Sequence, residues 1–469
     1  MSPVDDVLAA LPGEDHLVAW VEEVCAFGIR RPGSAAGHAV ERWVADEMRA
    51  AGLDVRLSRL DVPAWDHGAA RLVAWPAGRP DDTVVLDGFP LPFTAATAAA
   101  GLEADVVLLR RDGDEGGGEG GTEAVRGAIA VDAVDLTTLP TAWMQAIATP
   151  AHDPGPVPDH LLPFGPRLGR EVDDAIAGGA AGYVGALVGM PWPTRRYYVP
   201  YDAEHRALPA AWVDRVDGAR LLALLAAGPV RGRLEVDGRT GAGHTHNVIG
   251  TLPGASDEWV VIGSHHDAPW ASAVEDGTGI ALVLAQARAW ASVPPEARPH
   301  NLLFLLNGGH MTGGAGIWSF LERERALLDR TVLAVHLEHA AAAVEVVDGV
   351  PVATADPEAV WWFTSRDPAL EATVASALGD EHVERAWILP PDVFGEFPPT
   401  DGGPLHTAGV PVVDVLSAPV YLFDEVDTVD KVHRPSLTRF GRAAARIVAA
   451  TAGRTAAEAR AAVVVPDGR

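Results

Sequence analysis

At 469 residues, 48% of them apolar, the chain is long enough for two domains and a sizeable core. Thirty-six basic residues against 64 acidic ones leave a formal net charge of -28. Such a surface repels phosphate backbones and anionic lipid, which excludes nucleic acid and membrane as partners. The one cysteine, Cys25, excludes an internal disulfide.

The N-terminal stretch MSPVDDVLAALPGEDHL carries early acidic residues and neither a basic n-region nor a long apolar core, so no secretory signal is expected. No apolar run approaches the roughly 20 residues that span a bilayer. A cytoplasmic protein is the simplest account, and a homo-oligomer is compatible with it.

Leu17, Val21, Val24 and Cys25 recur at helical spacing. Pro32 and Gly33 break the pattern, Ser34 can cap a second helix, and Val40, Trp43, Val44 and Met48 share one face of it. Gly52 suits a helix stop, and alternation in DVRLSRLDV predicts a strand. From about Ala70 to Thr240 short apolar runs alternate with Gly- and Pro-rich loops, and DGDEGGGEGG is expected to be a mobile tip.

THNVIGTLPG leads into the buried strand WVVI, which ends in Ser264-His265-His266-Asp267. The pair Glu275-Asp276 precedes a helix starting near Thr278. NLLFLLN is another buried strand, followed by Gly308-Gly309-His310-Met311, and TVLAVHLEHA carries His336, Glu338 and His339. VWWFTS and GVPVVDVLS read as strands, while DPALEATVASAL and PSLTRFGRAAARIVAATAG read as helices. This alternation predicts an α/β fold, a mostly parallel central sheet with helices on both faces.

In open α/β sheets ligands collect at the carboxyl ends of the strands. Imidazole and carboxylate fixed there form a first shell for zinc or a similar ion. Polar loop residues followed by an Asp-Gly turn would explain the same stretch. EDGTG is a helix-entry turn and not a nucleotide fingerprint, because no G-x-G-x-x-G follows the strand.

The segment from His265 to Asp276 resembles the first metal motif of the co-catalytic zinc aminopeptidase family. That family includes bacterial leucine aminopeptidases, glutamate-carboxypeptidase-like enzymes and glutaminyl cyclases. The R-x-P-G-S turn between the first helices and the order of elements resemble it too. Residues 70–240 resemble the protease-associated domain that many members carry as a β-rich insertion, leaving 1–69 and 241–469 as the metallohydrolase domain.

The resemblance implies His265, Asp276 and Glu338 as metal ligands, with Asp267 as a carboxylate supporting His265. It also implies that the second metal site is lost. Met311 falls where the family has a ligand Glu, and Phe423 falls where it has a ligand His. Neither a thioether nor a benzene ring holds a hard divalent ion. His310 falls at the general base and can serve as base or as fourth ligand. Asp401 and His406 sit where the family lines its substrate pocket, Glu275 could meet a substrate amine, and Trp270 could wall the pocket. His266 and His339 flank ligands on strands whose neighbours face opposite ways, so each is expected to be packed or to play a supporting part.

The expected cofactor is one divalent ion per chain, zinc first, with manganese or iron as alternatives. The expected activity is metal-dependent hydrolysis of an amide or related C–N bond in a peptide or small molecule. A lyase-type elimination on the same site and an inactive binding protein are the alternatives.

Overall fold

The computed structural model describes residues 3–111 and 124–463; the glycine-rich DGDEGGGEGG segment lies outside them. The two N-terminal helices form where the apolar spacing places them, at Glu14–Ala26 and Ala35–Ala50. Ser34 caps the second by accepting from the Gly37 N–H at 2.9 Å.

Among the described residues the main sheet has 13 strands. Trp259–His265, the central strand of one parallel block, lies parallel to Asn301–Asn307 on one side and to Thr331–Leu337 on the other. Thr331–Leu337 runs parallel to Val412–Leu416, which pairs antiparallel with Val360–Thr364. The sheet is therefore mixed: this parallel block and a second one, formed by Leu102–Leu108, Ile129–Ala133, Gly182–Ala186 and Ala210–Val213, flank the antiparallel strand Val230–Leu252. Val260 and Ile262 pack into the cluster that holds the helices Glu14–Ala26, Gly277–Ala291 and Arg434–Ala449. Val261 joins Ile317 and Phe320 in a separate cluster. Helices thus cover both faces, which is why the central strand carries apolar side chains without alternation.

Two 23-residue strands, Asp54–Pro76 and Val230–Leu252, pair antiparallel along nearly their whole length. The C-terminal end of the second pairs with Asn301–Asn307, and its N-terminal end pairs with Leu102–Leu108. The strands of region 70–240 consequently extend the same sheet. The boundaries expected at 69/70 and 240/241 fall inside this ribbon, beside the register shift between His67 and Ala70. Leu72, Leu86, Val106, Val184 and Leu234 form a smaller apolar cluster with Leu221 of the helix Arg215–Ala227.

Candidate metal centre

Five donor side chains converge at the carboxyl end of the parallel strands. His265 ends Trp259–His265, and Glu338 and His339 follow Thr331–Leu337. His310 opens a short 3-10 turn after Asn301–Asn307, and Glu275 lies just before the helix Gly277–Ala291. Gly309, at φ +87°, lets the chain turn sharply enough to bring His310 back over the sheet edge.

His265 Nε2 is 3.4 Å from Glu275 Oε1 and 4.0 Å from Glu338 Oε1. His339 Nε2 is 2.8 Å from Glu275 Oε2 and 3.9 Å from Glu338 Oε2. His310 Nε2 is 3.8 Å from Glu275 Oε1, and its ring stacks on that of His265 with centroids 4.0 Å apart. Two overlapping sets, His265–Glu338–His339 and His265–Glu275–His310, each have donor atoms close enough to share an ion. Ligands of a tetrahedral zinc ion are about 3.3 Å apart, given bond lengths near 2.0–2.1 Å.

The outer ring nitrogens fix which atom faces inward. His265 Nδ1 donates to the Asp267 backbone carbonyl at 2.9 Å, and His339 Nδ1 donates to the Ser417 carbonyl at 2.5 Å. His310 Nδ1 donates to Asp401 Oδ1 at 2.9 Å. Each ring therefore turns Nε2 toward the cluster, the orientation that outer hydrogen bonds impose on metal-binding imidazoles. His265 Nε2 and Glu275 Oε1 are buried without a hydrogen-bond partner, while His339 Nε2 and Glu275 Oε2 face each other as a buried ion pair. A buried polar atom left unpaired costs about 1–3 kcal/mol. Two such atoms beside the His339–Glu275 pair fit a bound divalent cation.

Burial, with the neighbouring imidazoles, holds the His265 ring well below the usual histidine range. Burial also opposes charge on His336, yet Glu338 raises it to about 9 through the 2.7 Å bond from His336 Nε2. Glu338 is correspondingly held down as a carboxylate, against its own burial.

Several expectations need correction. Asp276 does not face the cluster. One of its oxygens accepts from the Gly279 N–H at 2.8 Å and caps the helix Gly277–Ala291, while the other is bonded to the Ser264 hydroxyl. Glu275, expected near a substrate amine, takes the central position. Asp267 does not touch the His265 ring with its carboxylate, which instead accepts from the N–H groups of Gly309, His310 and Met311. It thereby shapes the turn that carries His310. His339 is no bystander: the strand stops at Leu337, alternation ends there, and φ +61° turns the ring inward.

Asp401 reaches the centre as the partner of His310. His406, on the helix Gly403–Thr407, is outside the cluster and does not line the pocket. Trp270 is core packing: its ring lies under Arg31 and Arg196, and its N–H donates to the Phe423 carbonyl at 3.1 Å. His266 is buried and donates from Nε2 to the His246 carbonyl at 2.8 Å. Met311 is buried and offers no oxygen or nitrogen donor.

The cluster floors a pocket of about 170 Å³ whose walls are apolar, among them Phe164, Trp361, Phe394, Leu416 and Phe423. Tyr201, from region 70–240, stacks on His310 at 5.4 Å and on Phe423 at 5.0 Å. Sequence reasoning missed Tyr201 because nothing local marks a residue that packs across the sheet. Glu275 had a signal: Asp is a favoured N-cap, which commits Asp276 to the helix and leaves its neighbour free.

Residues 247–448 match the model of peptidase family M28. No curated protein matches the sequence. Among solved structures, a peptidase M28 precursor from Shewanella amazonensis is similar with TM-score 0.70 and 20% identity, over 95% of this chain and 94% of that one. The zinc aminopeptidase BSAP from Bacillus subtilis gives TM-score 0.66 at 16% identity, covering 94% of this chain and 95% of its own. The aminopeptidase from Aneurinibacillus sp. strain AM-1 gives 0.64 at 16%, covering 95% of each chain. At these identities the likeness is one of fold.

Proposed function

We propose that this chain, whose residues 247–448 match the model of peptidase family M28 and whose fold is that of solved zinc aminopeptidases, is a metal-dependent hydrolase that cleaves an amide or related C–N bond with a single divalent ion. The supporting observation is the convergence of buried donor atoms from His265, Glu275 and His339 on one point, with His265 Nε2 and Glu275 Oε1 left unpartnered. Both overlapping donor sets include His265 Nε2, and one nitrogen lone pair binds one ion. Met311 and Phe423 add no donor for a second. Mixed imidazole and carboxylate donors suit zinc, with manganese or iron as alternatives.

His265, Glu275, Glu338 and His339 would hold the ion. A divalent ion there supplies Lewis acidity, polarising a carbonyl and acidifying water. His310 is the remaining donor, 7% exposed where the other four are 2% or less. Asp401 fixes its Nδ1–H, so Nε2 is the atom offered to the pocket. That nitrogen takes a proton from the attacking water and returns it to the departing nitrogen. The apolar walls keep bulk water off the scissile bond and favour a peptide or small molecule with an uncharged, apolar group beside it.

His310→Ala tests the assignment. Elemental analysis should still find a single ion at this centre, while turnover on a panel of amides and amino-acid conjugates falls about 10²–10⁴-fold. Loss of that ion from the variant would make His310 a ligand instead. No turnover by the parent would favour a binding protein, and an unsaturated product formed without water uptake would favour elimination.

A further inference from the structure

A second imidazole–carboxylate cluster lies where the helix Ala35–Ala50 crosses the strand Val230–Leu252. His38 and Glu41, three apart, share a helix face, and His244 and His246, two apart, share a strand face. His38 Nδ1 is 2.9 Å from Glu41 Oε2, and His246 Nδ1 is 2.8 Å from the same oxygen. The other Glu41 oxygen accepts from the Thr245 hydroxyl at 2.6 Å and the His246 N–H at 3.0 Å, so the carboxylate is pinned in place. The His244 ring completes the group, with its centroid 4.5 Å from His38 and 5.5 Å from His246.

We propose that His38, Glu41 and His246, with His244 alongside, bind a second divalent transition ion outside the reaction pocket. The three donor atoms lie close enough together to share one ion. Each imidazole would give Nδ1 to the ion and carry its proton on Nε2, which keeps both rings neutral. The side chains of His38 and His246 are each 21% exposed, so an ion can enter from solvent while Glu41, at 3%, anchors it from below. Imidazole donors select zinc, nickel or copper over magnesium and calcium, which prefer oxygen. The ion would fasten helix to strand. The His246 carbonyl it steadies is the acceptor for His266, next to the reaction centre.

Equilibrium dialysis of the full chain against zinc, nickel or magnesium, followed by elemental analysis, tests this. The parent should take up one more equivalent of zinc or nickel than His38→Ala/His246→Ala, and no extra magnesium. His38→Gln/His246→Gln keeps an N–H for Glu41 and decides the matter should the alanine variant fail to fold. Its affinity for that equivalent should fall more than about a hundredfold, beyond the effect of outer-shell changes. Amide turnover should persist in both variants. Equal zinc uptake by the parent and the glutamine variant, or a parent that gains as much extra magnesium as zinc, would overturn the proposal.

Discussion

The two imidazole–carboxylate clusters use the same chemical groups and differ in how completely they satisfy one another. At the pocket floor His339 Nε2 pairs with Glu275 Oε2, but His265 Nε2 and Glu275 Oε1 are buried and unpaired. At the helix–strand crossing both inward imidazole nitrogens already meet Glu41 Oε2, and water reaches the rims. Unpaired buried donors hold a cation because nothing else completes them, whereas a self-paired cluster is stable with or without one. The first arrangement suits a reaction centre, and the second suits a reversible fastening.

The sharpest way to break this contrast is Glu275→Ala, which removes the one carboxylate that His265, His310 and His339 share. Turnover should fall to below about one-thousandth, the scale of losing a major electrostatic stabiliser. Elemental analysis should show the pocket ion gone and uptake at the crossing unchanged. Retention of both ions would make the orphaned atoms irrelevant.

Stability separates the clusters next. Stripping the parent with a chelator should lower Tm by about 3–5 °C, the scale set by ~2.7 kcal/mol for an ion at a hundred times its Kd. Most of that drop should remain in His38→Gln/His246→Gln, because the unsatisfied atoms lie in the other cluster. Scanning calorimetry showing the drop abolished would reverse the comparison.

The smallest effect concerns Glu41 with chelator present. Burial pushes its carboxyl up, but neighbouring His266 and hydrogen bonds from His38, Thr245 and His246 hold it down to about 2. A depressed carboxyl contributes stability that is present above the unfolded value of 4.5 and is lost as pH falls toward 2. Glu41→Gln should therefore destabilise by about 3 kcal/mol at pH 7 and by progressively less below pH 4.5. Urea titrations at pH 7 and pH 3 giving the same loss would mean that the charge of Glu41 has no part in it.

What the sequence disclosed follows how local each signal is. The continuous run WVVI named a doubly buried strand, and a strand end located His265 at the rim. Glu338 was legible for the same reason. The choice between Glu275 and Asp276 turns on which neighbour caps the following helix: the resemblance points to Asp276, whereas the fold uses Asp276 as the cap and turns Glu275 into the cluster. His339 was hidden because period-two alternation was carried one residue past the strand end. The Asp401–His310 bond and the Tyr201 stack join residues 91 and 109 positions apart, and only the folded sheet brings them together.

The long ribbon of Asp54–Pro76 and Val230–Leu252 also decides how this chain can be cut. Region 70–240 looks, by position, like a cassette that could be spliced out. Yet both ribbon strands run through its borders, and one of them continues into the sheet that carries the centre. Excision at those borders would leave two severed strand ends with unpaired backbone edges, a template for aggregation. It would also strip Tyr201 from the face of His310. Domain transplantation in this architecture must move the ribbon whole, and the roof of the pocket travels with it.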